Sequence, residues 1–276
     1  QRYWRPSSEE SAKIAGYKDD IIYVERIIDK KLLELNKEGY LNGHIPFSAM
    51  LAFLSTTTAA LLGLKNVVVS NENSANEDTV IGANHQYSKT FEYENDFRSY
   101  AHCSLFEGEE VNYYSILRPL SEIQIVKMFV NYKKYLPVFK SCNVGSRIIN
   151  KQEIWCGKCP KCLFVYILLL SQLPEEKVVE IIGNNMLDNL EMKEDFDKLI
   201  GVLPDKPFEC IGTKEEVNVA LSIIKDKEEY KNQAPALVKY YSESLKNYHK
   251  DAESIKGICS KVILMKTNYD LIRKEN

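Results

Sequence analysis

Ile45 to Leu64, reading IPFSAMLAFLSTTTAALLGL, carries no charged residue and runs almost directly into the β-branched stretch Val67–Val69. An uncharged run of this length suits either a bilayer span or a helix buried inside a domain. Four consecutive hydroxyl residues, Ser55 to Thr58, together with Ser48 and Pro46, count against lipid. The valines that follow at once are what a helix feeding a buried parallel strand would need. The expectation is therefore a helix–strand unit of an α/β domain, with no membrane partner.

The surrounding pattern agrees. Residues 8–18 predict a helix, IIYVE at 21–25 a short strand, and KKLLELNKEGY a helix closed by Gly39. A further helix is expected from Thr90 to Leu105, a strand at 111–117, and an amphipathic helix capped by Ser121. Alternating helix and strand imply a parallel sheet flanked by helices. Beyond the cysteine segment the chain is mostly helical: Pro160 opens one helix, and Thr213 with Glu216 forms a capping box for another. The expected division is 1–140 for the α/β part and 141–276 for a metal knuckle with a helical region.

The 276 residues include 45% hydrophobic and 27% charged side chains and a net charge of −3, an ordinary globular balance that excludes a nucleic-acid partner held by bulk charge. The polar, charged N-terminus has no secretory pattern, so a cytoplasmic location is expected. Seven cysteines, four of them in one short segment, fit metal binding better than a disulfide framework. WCGKCPKC places Cys156, Cys159 and Cys162 at equal spacing, and overlapping CxxC steps are not a thioredoxin-type redox pair. Zinc needs a fourth ligand from a distance, which Cys142 in KSCNVGSR can supply; four thiolates make such a site structural. An iron–sulfur cluster is the second metal reading, although no further cysteine follows closely behind Cys162.

Chemistry is expected beyond the carboxyl ends of the strands. VVVSNENSAN ends a strand in a dense polar set that includes Asn71 and Glu72; turn formation is the plainer reading, while Glu72 also suits a magnesium ligand or a base. NHQYSK gathers Asn84, His85, Gln86, Tyr87, Ser88 and Lys89, groups able to bind an anion and move protons. In LRPLSE, Arg118 either clamps an anion or pairs with Glu122. His44 precedes a helix start, where backbone amides favour an anion.

The order LNGHIPFSA, VVVSNENSAN, NHQYSK, LRPLSE, SCN, WCGKCPKC and KPFECIGTKEEV resembles the ATP-dependent UDP-N-acetylmuramoyl-L-alanyl-L-glutamate epimerases of peptidoglycan synthesis, over residues 20–225. That family is similar to the PP-loop ATP pyrophosphatases, including the 7-cyano-7-deazaguanine synthases, whose CGxCxxC zinc site the cysteine cluster resembles. The resemblance implies a PP-loop-like fold, ATP, magnesium and structural zinc as cofactors, and a UDP-N-acetylmuramoyl dipeptide as substrate. Its terminal L-glutamate would be adenylated, deprotonated at Cα by a base and reprotonated on the other face. Glu72, His85 and Lys89 are then the catalytic candidates, and His44, Asn71, Asn84, Gln86, Tyr87, Ser88 and Arg118 the binding candidates.

The SGGxDS phosphate loop of PP-loop enzymes is missing from the chain, which begins with Gln. An absent N-terminal segment and little ATP turnover by this chain alone are expected from that. Two alternatives stand beside the epimerase reading: an enzyme adenylating another carboxylate, such as a 7-deazapurine acid, and a non-catalytic, zinc-stabilised binding module.

Overall fold

A computed structural model describes residues 6–40, 46–76, 84, 86–105, 111–142, 144–145, 155–207, 209 and 211–244. Helices α1 (Pro6–Ala15) and α2 (Lys30–Lys37) come first, α2 capped by Asp29, whose carboxylate accepts from the Lys31 amide. Between them, 21–25 forms no strand, contrary to its β-branched and aromatic composition. Ile22, Tyr23 and Val24 are all more than half exposed, and β propensity does not make a strand without a partner to pair with.

The uncharged run forms α3 (Phe47–Leu61) with Pro46 at its N-cap, and leads through Gly63 (φ +69°) into β1 (Asn66–Val69). At 15 residues α3 is about 22 Å long, short of the roughly 30 Å of a bilayer core. Among the described residues no helix is long and apolar enough to cross a membrane. β1 pairs in parallel with β2 (Asn112–Ser115), with Asn66 opposite Asn112 and Val69 opposite Ser115. The chain is thus α/β, but its sheet is small: two strands among the described residues, with Val68 half exposed rather than central and covered.

Two cores result. Ala52 of α3, Phe97 of α4 (Phe91–Tyr100) and Tyr113 of β2 make the smaller, with Phe97 edge-on to both Phe53 and Tyr113. The larger surrounds α6 (Pro160–Leu170), which beyond Lys161 in its first turn is apolar and correspondingly enclosed. Around it pack α5 (Glu122–Phe129), α7 (Glu175–Ile182), α8 (Lys193–Ile200), α9 (Lys214–Lys225) and α10 (Ala236–Ser244). Both expected caps form: Ser121 caps α5, with Gln124 completing a capping box, and Thr213 with Glu216 forms the expected capping box on α9. Ile123 joins the larger core, so α5 carries the end of the sheet into the helical half.

Candidate active site and metal centre

The chain leaves β1 under tight control. The Ser115 hydroxyl reaches both the Val69 carbonyl (3.1 Å) and the Asn71 carbonyl (2.6 Å), and the Asn73 amide donates to the Leu120 carbonyl (3.1 Å). Much of the polar set after β1 does turn work: Asn73–Asn76 is a single 3-10 turn, and the Asn76 carboxamide oxygen accepts from the Phe91 amide. Asn71 contributes its carbonyl to this frame. Glu72 lies within it, one carboxylate oxygen 3.3 Å from the Ser74 hydroxyl.

The NHQYSK segment is stapled to the same turn. Asn84 donates to the Ala75 carbonyl (3.1 Å) and accepts from the Gln86 amide (2.7 Å). Gln86 accepts from the Lys89 ammonium (3.1 Å), and Ser88 is buried in the short turn before Thr90 caps α4. Tyr87 is exposed, its hydroxyl 3.4 Å from Asp96. His85 and His44 lie outside the described residues.

Arg118 ties these pieces together. Its guanidinium meets Glu94 through Nη2 (2.9 Å) and Nε (3.3 Å), donates from Nη1 to the Glu72 carbonyl (3.0 Å), and from Nη2 to the Lys89 carbonyl (2.7 Å). Its ion-pair partner is therefore Glu94 of α4, and not Glu122 as the adjacent sequence had suggested. The two side chains are 11% and 4% exposed, so the pair is a buried strut between the loops that carry Glu72 and Lys89.

Glu122 instead stands in the first turn of α5 and forms no side-chain hydrogen bond among the described residues. Its backbone amide donates to Glu216 (2.6 Å), whose other oxygen accepts from the Thr213 amide (2.8 Å). One buried carboxylate thereby closes the starts of both α5 and α9. Burial pushes the Glu122 carboxyl up to about 7; Lys161 opposes the rise, Glu72 and Glu216 add to it, and Lys89 opposes it. Burial likewise raises Glu216, against the pull of its amide donors. Glu122, Glu216 and Lys161 were not among the site residues expected from sequence. Two sit in the capped first turns that close the LRPLSE and KPFECIGTKEE motifs, and the third lies between two cysteines, so each had a local cue but no sign of convergence.

Cys142, Cys156, Cys159 and Cys162 converge with all four sulfurs within 4.8 Å of one another. Their separations of 4.0 Å (Cys142–Cys159) and 3.7 Å (Cys156–Cys162) bracket the roughly 3.8 Å edge of a tetrahedron with 2.3 Å zinc–sulfur bonds. The Gly145 and Cys162 amides point at the sulfurs of Cys142 and Cys159. Gly157 makes the knuckle's turn at φ +63°, where a Cβ would run into the Asn184 carboxamide. The quartet can hold one metal ion and is compatible with structural zinc. A groove of about 520 Å³ carrying Lys133, Lys140 and Lys177 contains none of these residues, and the chemistry follows the residues rather than the groove.

The family models for the MurL N-terminal domain and the MurL C-terminal domain match residues 7–116 and 138–255. A UDP-N-acetyl-alpha-D-muramoyl-L-alanyl-L-glutamate epimerase of Xanthomonas oryzae pv. oryzae is 35% identical over 78% of this chain and 48% of its own length. Proteins of the same name from Micromonospora and Salinispora tropica are each 38% identical, over 75% and 72% of this chain and 47% and 44% of their own lengths. The chain thus spans about half the length of the curated relatives it matches. No solved structure matches it. With both family models together spanning most of the sequence, the chain belongs to the MurL family.

Proposed function

We propose that this chain supplies acid–base walls of an active site that inverts the terminal L-glutamate of UDP-N-acetylmuramoyl-L-alanyl-L-glutamate to D-glutamate, in the cytoplasmic stage of peptidoglycan precursor synthesis. The observation that carries the reading is the frame at the strand ends, in which Arg118 binds the Glu72 and Lys89 carbonyls, Asn73 binds Leu120 and Glu216 accepts from the Glu122 amide, in a chain from an epimerase family. ATP with magnesium would activate the α-carboxylate by adenylation, which removes the charge that opposes carbanion formation beside it. On this reading Glu72 would hold magnesium or face the reacting carbon, and Lys89 would bind an anionic group. The resemblance to PP-loop pyrophosphatases belongs to this same reading. The cysteine quartet would hold zinc in a structural role, since sulfurs this close leave room for one ion and not for the four-iron core of a cluster.

The test incubates the complete open reading frame, beside the 276-residue chain, with the UDP-linked dipeptide, ATP and magnesium. AMP release and the chirality of glutamate after acid hydrolysis are then measured. D-glutamate formed with AMP supports the proposal; neither product from the complete protein sinks it.

A further inference from the structure

Four buried or half-buried carboxylates surround the strand ends, and three are already engaged. Glu94 is consumed by Arg118, and Glu216 has one oxygen on each of two helix-start amides. Glu72 is held by Ser74. Glu122 is the exception: its carboxyl, at the start of α5, has no hydrogen-bond donor among the described residues. The contacts that place it do not depend on its side chain. Asn73 to Leu120 brings the Glu72 loop against the entry to α5, Arg118 carries Lys89 to that loop, and Glu216 fixes the Glu122 backbone. The charged groups that act on it come one from each neighbouring element: Lys161 from α6, Glu72 from the loop after β1, Glu216 from α9 and Lys89 from the turn before α4.

From this arrangement we infer that Glu122, which lies in the stretch between the two matched domains, is the base that takes the Cα proton of the activated substrate. The inference rests on the epimerase reading. In the step, the Cα–H bond breaks, its electron pair passes into the adjacent activated acyl carbonyl, and the proton goes to a Glu122 oxygen. A solvent-exchanging acid then protonates the opposite face, and Glu122 returns its proton to water. A carboxyl that ionises near neutrality is matched to this task, because a base must be free of its proton yet still attract one.

The experiment uses the complete protein and follows the two halves of the reaction separately, as pyrophosphate release and as deuterium entering glutamate Cα from D2O. Glu122→Gln is expected to slow Cα exchange by about 10²–10⁴-fold relative to the first-turnover release of pyrophosphate. Wild-type exchange should rise with pH through a limb near 7. A Glu122→Gln protein that exchanges at the wild-type rate overturns the assignment, and so does a wild-type exchange rate that stays flat across the neutral pH range. The second result decides the matter even if the glutamine variant folds poorly. A wild-type protein that makes no D-glutamate and exchanges no Cα proton defeats the epimerase reading itself, which separates the two failures.

Discussion

Replacing Glu122 by Gln should stabilise the protein at alkaline pH while slowing proton transfer. In the folded chain the carboxyl is raised from 4.5 to about 7, and each unit corresponds to about 1.4 kcal/mol between the protonation states. The sign follows from linkage. A raised folded-state value means that the folded protein holds the proton more tightly than the unfolded chain. The associated stability is complete below pH 4.5 and is lost as pH climbs through 7. Above that, wild type carries a buried anion that glutamine does not, a difference of about 3 kcal/mol. In a chain this size that is roughly 5–10 °C in Tm. Urea unfolding of wild type and Glu122→Gln at pH 4.5, 6, 7 and 8 isolates the group together with its coupled neighbours Glu72 and Glu216, because the remaining titrations are common to both. The two should coincide at pH 4.5 and separate in favour of the variant by pH 8. A difference that does not change with pH would refute the reasoning, and so would a wild type that is the more stable at pH 8.

Arg118→Ala removes four hydrogen bonds and strands Glu94 in a buried setting, so it should cost about 3–5 kcal/mol by chemical denaturation; Arg118→Lys should recover only a minor part, and a loss under about 1 kcal/mol would show that no strut exists. Elemental analysis should find one zinc per chain, and chelation should melt the α6-centred core, because Cys142, Cys159 and Cys162 are part of it; an unchanged thermal transition after metal removal would separate the quartet from folding. Gly157→Ala should destabilise by about 2 kcal/mol and loosen metal retention, since it demands both a left-handed alanine and displacement of Asn184, readable in one calorimetric scan with a metal-release assay.

What could be seen in the sequence was whatever depends on near neighbours. Ser121 as a helix cap and Thr213 with Glu216 as a capping box are patterns no more than four residues long, and both caps formed. Cys156, Cys159 and Cys162 are close enough in the chain that only Cys142 had to be sought at a distance. The plain turn reading of the asparagines after β1 describes Asn73 and Asn76 well. Failures came where a partner lies far along the chain. Arg118 has Glu122 four residues away, yet it pairs with Glu94 across 24 residues, because α4 brings that carboxylate beneath the strand ends. Glu122 meets Glu216 across 94 residues, and no local pattern signals that two capped helix starts abut. The segment 21–25 has strand composition but no strand beside it, and pairing rather than propensity decides.

Arg118 has a consequence for how such a site can diverge. Its two loop contacts end on main-chain carbonyls, those of Glu72 and Lys89, and neither depends on which side chain occupies the position. Residues 72 and 89 are therefore open to replacement without loosening the distance between their loops, and a descendant can inherit the frame while exchanging the reactive groups mounted on it. Arg118 and Glu94 have no such freedom. Losing either leaves the other charged and buried, so lineages should keep the two together or surrender them together, and the frame should outlast any one chemistry it serves.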